Sequence, residues 1–433
     1  MCGESRIYSR VLVVLAFVLL AGCVSGPKEA VEEEESALTT VSMVDGNPHI
    51  VVLDFSGKTH KEVGVEYGKW IKENYPNYSS DMSKYYESLL YFFQSRAGVE
   101  ITDEDVSQRL AEIRPNVPQK YIDEVEGIAE GLGEPGFADV LLKINLFSDI
   151  GRPASCSGFA AYSGFTGSGK TIMGRNFDWY GFDALQEYSG VTVFRNQEGK
   201  NDFANIGYLG IVSVASGVNE KNLGLHVQDC GTRENFTVSG KYPYTFSVRE
   251  ALEDYDSVDY ALEFYNSREY SYSHIVLFFD ELDALVLEKA ANLGGDGTTT
   301  NAVRVSSSED VRTPWGLPER IALTNHYEID SMDSKAYSGG IHARTQERFL
   351  RIKELLSGYS AENPLDAEDA QKIMSDSQVA FLINASSPSD SEETMYSYVY
   401  DTANRALYYW YIAGKGEHIL YEEYNLFGEL HGC

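Results

Sequence analysis

Positively charged side chains are scarce in this sequence. Its 433 residues include 35 lysines and arginines against 66 aspartates and glutamates, which gives a net charge of −31. A nucleic-acid-binding protein needs cationic groups to displace the counterions of the phosphates. The charge balance therefore argues against nucleic acid as a partner and indicates a well-hydrated, acidic exterior.

Cysteine and histidine are also few. There are five cysteines and eight histidines, and no pair of them has the spacing of zinc ligands, so we expect neither a metal nor another cofactor. Cys2 and Cys23 belong to the N-terminal segment, which leaves Cys156, Cys230 and Cys433. This odd, sparse set does not make a disulfide framework, and it is compatible with one free functional thiol.

The N-terminal residues have the parts of a secretory signal. Arg6 and Arg10 precede an apolar run over residues 11–20 that is too short to span a bilayer comfortably. The sequence LAGC, which ends at Cys23, resembles a bacterial lipobox, whose cysteine is lipidated. We therefore predict a signal peptide over residues 1–22, a lipid anchor at Cys23 that holds the exported protein on the cell membrane, and an acidic tether over residues 23–42. The alternative is an ordinary signal peptide with an incidental cysteine.

Hydrophobic periodicity divides the remaining chain into two parts. Residues 58–148 are predicted to be mostly helical, with helices over residues 82–96 and 118–132. From Cys156 onwards the pattern predicts strands at residues 157–162, 171–178, 190–195, 206–215 and 223–227, strand pairs at 274–289 and 396–412, and helices at 247–267 and 343–356. A helical segment followed by mixed strands and helices predicts an α+β fold built in layers.

Residues 164–171, with the sequence GFTGSGKT, satisfy the Walker A pattern of nucleotide-binding proteins. Such a loop works between a buried strand and a helix whose N-terminal amides face the phosphates. The next eight residues, IMGRNFDW, lack a helical stripe and include glycine, asparagine and aspartate. We therefore interpret the loop as the turn of a β-hairpin and predict no nucleotide.

Motifs along most of the chain resemble those of N-terminal-nucleophile amide hydrolases. The sequence CSGFAA from Cys156, followed after a turn by GRNFDW at residues 174–179, resembles the start of their catalytic chain. Residues 57–68 resemble the opening helix of the penicillin-acyltransferase-like branch. Residues 124–131, 217–224 and 323–326 match three further patterns in the expected order, although Asn222 stands where a glycine is usual. Choloylglycine hydrolases and acid ceramidase-like amidases are the other groups of these hydrolases that the chain resembles.

The resemblance implies the four-layer αββα sandwich of N-terminal-nucleophile hydrolases. Residues 43–155 would form a helical pro-segment or α-chain, and residues 156–433 the catalytic β-chain. Because a long mature segment precedes Cys156, the resemblance also implies that the chain cuts itself between Ser155 and Cys156. The freed α-amine would then serve as the base for the Cys156 thiol, since the pKa of such an amine is about 7.7–8.0.

The same resemblance assigns supporting roles to four residues. Arg175 would support the nucleophile electrostatically, Asp178 would hold the α-amine in position, and the Asn325 side-chain amide would donate to the developing oxyanion. Arg348 would be a supporting or substrate-facing cation. On spacing alone, an inert thiol at Cys156, a surface ion pair between Arg175 and Asp178, and a turn role for Asn325 remain alternatives.

Three residues can also be interpreted as structural or surface residues without a catalytic role. Arg348 shares its predicted helix with Arg344 and Arg351, so a solvated face is a further alternative for it. His326 is interpreted as a hydrogen-bonded structural histidine and Cys230 as a buried thiol.

Together these observations predict a lipid-anchored hydrolase of linear, non-peptide amide bonds, with acyl transfer to another amine as the variant. Its partner would be a small N-acyl amide, and its α- and β-chains would come from one precursor. A catalytically silent ligand-binding or surface-interaction lipoprotein with the same fold is the alternative function.

Overall fold

The computed structural model describes residues 38–44, 47–95, 101–150, 155–230, 238–291, 300–335, 344–382, 391–412 and 418–427. The predicted signal peptide, Cys23, most of the predicted tether and Cys433 lie outside these residues. The helices are α1 (His60–Asn74), α2 (Tyr78–Ser95), α3 (Asp103–Ile113), α4 (Gln119–Gly131), α5 (Ala138–Asn145), α6 (Phe147–Ile150), α7 (Tyr244–Asp254), α8 (Val258–Asn266), α9 (Thr345–Leu356) and α10 (Ala367–Met374).

The strands form two sheets. They are β1 (Leu38–Val44), β2 (Asn47–Asp54), β3 (Ser155–Ala161), β4 (Ile172–Trp179), β5 (Ser189–Arg195), β6 (Phe203–Tyr208), β7 (Ser216–Asn219), β8 (Gly224–Asp229), β9 (His274–Phe279), β10 (Ala284–Ala290), β11 (Thr300–Arg304), β12 (Arg320–Leu323), β13 (Glu393–Asp401), β14 (Ala406–Ile412) and β15 (His418–Asn425). The larger sheet has the order β1-β2-β5-β6-β7-β8-β9-β10-β11, and the smaller has the order β12-β3-β4-β13-β14-β15.

Helices cover the outer face of each sheet. Contacts between β3 and β8 and between β10 and β12 bring the two sheets together. Helix α1 packs on β2, α7 on β7 and β8, and α8 on β9, whereas α9 and α10 pack on strands of the smaller sheet. The predicted four-layer α+β fold is confirmed.

Helices α1 and α4 interlock through glycines, which explains two of the sequence motifs. A Cβ atom built on Gly64 would lie 2.3 Å from the carbonyl oxygen of Glu124, so a side chain there would collide with backbone. A Cβ atom built on Gly68, Gly127 or Gly131 would likewise lie between 2.1 and 2.4 Å from a facing carbonyl oxygen. The glycines are therefore needed because the two helix backbones touch.

Most predicted elements are confirmed, and two are wrong. The strand predicted over residues 206–215 ends at Tyr208, because Gly210 has a φ of +76° and turns the chain into a loop that precedes β7. The helix predicted over residues 247–267 is two helices, α7 and α8, since Tyr255 adopts an extended conformation (φ −122°, ψ 158°) between them. In addition, β1 begins at Leu38, before the predicted domain boundary at residue 43.

The Walker-like sequence lies between two antiparallel strands. Strand β3 pairs with β4 from Ser155 opposite Asp178 to Ala161 opposite Ile172, and residues 162–171 connect them. No helix follows Lys170, whose Nζ atom is 3.1 Å from Glu281 Oε1 in a partly exposed ion pair. The geometry required for phosphate binding at a helix N-terminus is therefore missing here.

We expect Lys170→Ala to leave fold and activity nearly unchanged. An exposed ion pair contributes up to about 1 kcal/mol, so the free energy of unfolding should fall by no more than that. Chemical denaturation of both proteins checks this value. Calorimetry with ATP provides the second test: micromolar binding that disappears in Lys170→Ala would overturn the hairpin interpretation.

No helix among the described residues is both long enough and apolar enough to cross a membrane.

Candidate active site

Cys156 lies near the start of β3, between β12 and β4 in the smaller sheet. Its side chain is 1 % exposed, and its thiol forms no disulfide. Cys156 is directly opposite Phe177, and Arg175 is opposite Gly158, so Cys156 and Arg175 are diagonal neighbours on one face of the sheet. The hairpin that carries the sequence motif therefore brings these two side chains together.

Arg175 points its guanidinium at the thiol. Its Nη2 atom is 3.2 Å from Cys156 Sγ and also donates to the Val227 carbonyl (2.7 Å). Its Nη1 atom donates to the Ala215 carbonyl and to the Ser216 hydroxyl. Burial raises the pKa of the Cys156 thiol, and the Arg175 charge acts in the opposite direction. Arg175 is thus a fixed cation beside the sulfur and not part of a surface ion pair.

The backbone of Cys156 is held by Asn325 and Arg348. The Cys156 amide donates to Asn325 Oδ1 (2.9 Å), and Arg348 Nη1 donates to the Cys156 carbonyl (2.8 Å). Arg348 Nη2 also donates to Asn325 Oδ1 (2.8 Å), while Asn325 Nδ2 donates to the Asp229 carbonyl (2.9 Å). Asn325 therefore presents an acceptor to the Cys156 nitrogen; its predicted role as an oxyanion donor is not the contact seen here and stays a prediction.

Arg348 is fully buried, so the solvated-face alternative is wrong for this residue. Its helix α9 presents it inward, whereas Arg351, one turn later, pairs with Asp376 nearer the surface. Burial lowers the pKa of the Arg348 guanidinium, and the neighbouring Asp178 carboxylate opposes this effect.

The Asp178 carboxylate contacts Arg348 and Thr394. Its Oδ2 accepts from Arg348 Nη1 (2.9 Å), and its Oδ1 accepts from the Thr394 hydroxyl (2.6 Å). Burial raises the pKa of the Asp178 carboxyl to about 7, although Arg348 and Thr394 favour the charged form. The structure thus places Asp178 behind Arg348, and its predicted role of orienting the Cys156 amine remains a prediction.

The remaining predicted residues have structural contacts. His326 lies between Glu328 Oε1, 2.5 Å from its Nε2, and the Thr345 hydroxyl, 2.9 Å from its Nδ1, as expected for a hydrogen-bonded structural histidine. Cys230 is a buried free thiol, also as predicted. Ser155, the residue before Cys156, is buried opposite Asp178.

Four residues of the site were missed because no sequence motif marks them. The Ser216 hydroxyl accepts from Arg175, and the Thr394 hydroxyl donates to Asp178. Both come from strands that are distant in sequence. The His226 ring packs on Gly158, where a Cβ atom would lie 2.7 Å from His226 Cε1, and burial together with Arg175 keeps the pKa of His226 well below its usual value. From helix α5, Asn145 Oδ1 accepts the amides of residues 212 and 213, in the loop that leads to the Arg175 acceptors.

An aromatic cavity of about 100 Å³ adjoins the thiol side of the smaller sheet. Phe177, directly opposite Cys156, and Ala215, whose carbonyl holds Arg175, both line it. The other aromatic side chains in its wall are Tyr85, Phe147, Trp179, Tyr208 and Tyr396. Helices α2, α5 and α6 supply part of this wall, so the segment before Cys156 contributes to the cavity.

Within the described part of the chain, no group of three or more histidine, cysteine, aspartate or glutamate side chains is arranged to hold a metal ion.

Fold and sequence together define the class. The chain has an α+β fold of two facing sheets between helical layers, with a buried thiol on a strand of the smaller sheet. It belongs to the acyl-coenzyme A:6-aminopenicillanic acid acyl-transferase family, whose sequence model matches residues 165–415, more than half of the chain. That match begins after Cys156, so it does not include the thiol. No curated protein matches the sequence significantly.

Solved structures with similar folds have low sequence identity to this chain. A conjugated bile acid hydrolase from Clostridium perfringens has 15 % identity and a TM-score of 0.41, over 64 % of this chain and 94 % of that one. A penicillin V acylase from Agrobacterium tumefaciens has 15 % identity and a TM-score of 0.40, over 60 % and 84 %. The Caenorhabditis elegans ortholog of N-acylethanolamine-hydrolyzing acid amidase has 13 % identity and a TM-score of 0.37, over 57 % and 92 %.

Proposed function

We propose that the chain hydrolyses linear amides with Cys156 as the nucleophile, after cutting itself between Ser155 and Cys156. The observation that carries this proposal is the set of contacts around one residue. Arg175 touches the Cys156 sulfur, Asn325 its amide nitrogen, and Arg348 its carbonyl oxygen. Arg175 places a buried cation beside the sulfur, which an inert core thiol does not need. Asn325 and Arg348 bind the backbone on either side of it, so a buried acceptor already faces the nitrogen that self-cleavage would free.

Self-cleavage would begin with attack of the Cys156 sulfur on the Ser155 carbonyl carbon. The bond from that carbon to the Cys156 nitrogen breaks, the nitrogen takes a proton, and a thioester remains. Water then hydrolyses the thioester, which leaves a carboxylate on Ser155 and a free thiol and α-amine on Cys156. Asn325 Oδ1 already accepts from the Cys156 nitrogen, so it is positioned to orient the new amine.

Turnover would use the same groups. The α-amine, with a pKa of about 7.7–8.0, takes the thiol proton while Arg175 stabilises the thiolate. The thiolate attacks the substrate carbonyl, the leaving amine receives a proton, and water then hydrolyses the acyl-cysteine thioester to a carboxylate and the free Cys156 thiol. Transfer of the acyl group from Cys156 to a second amine, instead of to water, would make the protein an acyltransferase, which is the activity in the name of its family.

The experiment is an activity screen over N-acyl amino acids, conjugated bile acids and penicillins, with and without a thiol-alkylating reagent. We expect release of the amine from at least one of these classes and its loss after alkylation of Cys156. An enzyme that turns over one of them at an unchanged rate after complete alkylation would refute the cysteine mechanism. Inactivity of the purified, cleaved protein on every class would favour the catalytically silent ligand-binding alternative.

We also propose that Cys23 anchors the mature protein to the cell membrane. The support is the LAGC sequence ending at Cys23 and the acidic residues after it. One acyl chain binds a membrane only weakly, so stable attachment requires the several chains of a lipoprotein N-terminus.

Cys23→Ala is expected to abolish this attachment. Wild-type protein should stay with the membrane fraction after a carbonate wash, whereas the variant should appear in the wash, since it lacks the lipidated residue. Immunoblotting of both fractions makes the measurement, and Cys2→Ala is the matched control, which should behave like wild type. A Cys23→Ala protein that remains with the membranes would contradict the proposal.

A further inference from the structure

Glu393 is the strand partner of a residue that lines the aromatic cavity, and it takes no part in the chemistry proposed above. It begins β13 and is directly opposite Trp179 of β4. Side chains of directly opposed residues lie on the same face of a sheet, and Trp179 lines the cavity. Glu393 is therefore on the cavity side of the smaller sheet, although its side chain is buried.

The Glu393 carboxylate is only half satisfied. Its Oε1 atom accepts from Gln186 Nε2 (2.6 Å), whereas its Oε2 atom is buried and has no hydrogen-bond partner among the described residues. Gln186 follows Leu185, which lines the cavity, and its Oε1 atom is likewise buried without a partner. Tyr208, also in the cavity wall, has a hydroxyl that is buried and has no hydrogen-bond partner among the described residues.

All three groups can accept a hydrogen bond from a donor. Glu393 Oε2, when ionised, and Gln186 Oε1 only accept hydrogen bonds, and the Tyr208 hydroxyl accepts as well. The groups are electrostatically linked, because Glu393 contributes to the raised pKa of Tyr208. A buried acceptor without a donor is costly, and a buried carboxylate more so. A ligand that supplies several N–H donors and a positive charge would remove this cost.

A primary ammonium group has these properties, since it carries three N–H donors and no acceptor. Aromatic rings such as Trp179 and Tyr208 also attract cations. The net charge of −31 favours the approach of a cation over that of an anion. A carboxylate-bearing ligand would meet Glu393 as a like charge.

We propose that Glu393 is a specificity-determining residue that selects substrates whose cavity-bound part ends in a primary ammonium group. This inference rests on the proposed function, because it assigns the cavity to the substrate of Cys156. It goes beyond that function by stating the charge and the donor set of the group that the cavity takes.

The test is a binding measurement that requires neither turnover nor self-cleavage. Calorimetry at pH 8 on full-length Cys156→Ala protein compares benzylammonium with benzyl alcohol, which has the same ring and no charge. We expect benzylammonium to bind at least tenfold more tightly. Adding Glu393→Gln should reduce this preference to less than threefold, whereas adding Glu392→Gln, the neighbouring acidic residue, should preserve it.

A second readout does not depend on the folding of the Glu393 variant. Burial raises the pKa of Glu393 to about 7, so lowering the pH from 8 to 5.5 should remove most of the preference, while benzylammonium stays charged. The pKa of Asp178 is also about 7, but Asp178 precedes Trp179 on β4 and its side chain therefore lies on the opposite face of the sheet from the cavity. Equal affinities at pH 8, or no binding of either probe, would overturn the proposal, as would a preference that survives Glu393→Gln. An amine preference in a wild-type protein that hydrolyses no amide would refute the proposed function alone.

Discussion

Cys156→Ala protein is expected to remain a single chain of full length and to hydrolyse no amide. The sulfur is both the group that would attack the Ser155 carbonyl and the group that would attack the substrate, so its removal stops both reactions. Activity should fall by at least 10³-fold, to the level of the uncatalysed reaction in the assay. The fold should persist, because the change removes one buried sulfur atom and leaves the Cys156 backbone contacts in place.

The chain offers a matched control for this variant. Cys230 is a second buried, free thiol with the same 1 % exposure. Cys230→Ala removes the same atom from a comparable environment and should still be cut and active. Equal loss of activity in both variants would point to a general packing defect and would contradict the specific role of Cys156.

Asp178→Asn is expected to slow both self-cleavage and amide hydrolysis by at least tenfold while the protein remains folded. The change keeps the shape of the side chain but removes the charge that faces Arg348, 2.9 Å away. Arg348 would then lose its anionic partner, and its contacts with the Cys156 carbonyl and Asn325 would be less firmly held. The effect should be measured at pH 8, above the Asp178 pKa of about 7, where the carboxyl is charged.

The control for Asp178→Asn is Asp376→Asn. It breaks a partly exposed ion pair between Asp376 and Arg351, and Arg351 lies on the same helix as Arg348. It should change the cleavage and hydrolysis rates less than twofold. Cleavage is followed by gel electrophoresis after synthesis, and hydrolysis by amine release from the best substrate of the screen. Wild-type rates in Asp178→Asn would mean that the Arg348–Asp178 pair is structural only.

Stability should also respond to pH through Asp178. Its folded-state pKa, about 7, is above the value of 3.8 for an unperturbed aspartate, so the folded state favours the neutral form. The contribution of this group to the free energy of unfolding is therefore fully present below about pH 4 and is lost as the pH rises through 7. Asp178→Asn should show a smaller decrease than wild type over this interval.

The sequence predicted the hairpin of the site well because the signals are local. The turn residues between β3 and β4 and the alternating side chains of β4 determine the pairing that brings Arg175 to Cys156. Arg348 was ambiguous, since three arginines share the predicted helix over residues 343–356 and only packing decides which of them faces inward. Ser216 and Thr394 could not be predicted, because they reach the site from strands distant in sequence and their residue types are common in any strand.

The fold was predicted through its motifs more than through its individual elements. The glycines at Gly64 and Gly127 are informative because the contact of two helix backbones demands them. The end of β6 was missed because the alternation of side chains continues beyond Tyr208 while Gly210 turns the backbone. The domain boundaries and the lipid anchor remain predictions.

Intact-mass measurement of purified wild-type protein tests the central claim most directly. The account predicts two chains whose masses place the break between Ser155 and Cys156, with a free cysteine at the start of the second chain, and a single uncleaved mass for Cys156→Ala. An active wild-type protein with one uncleaved mass, whose activity survives Cys156→Ala, would contradict it.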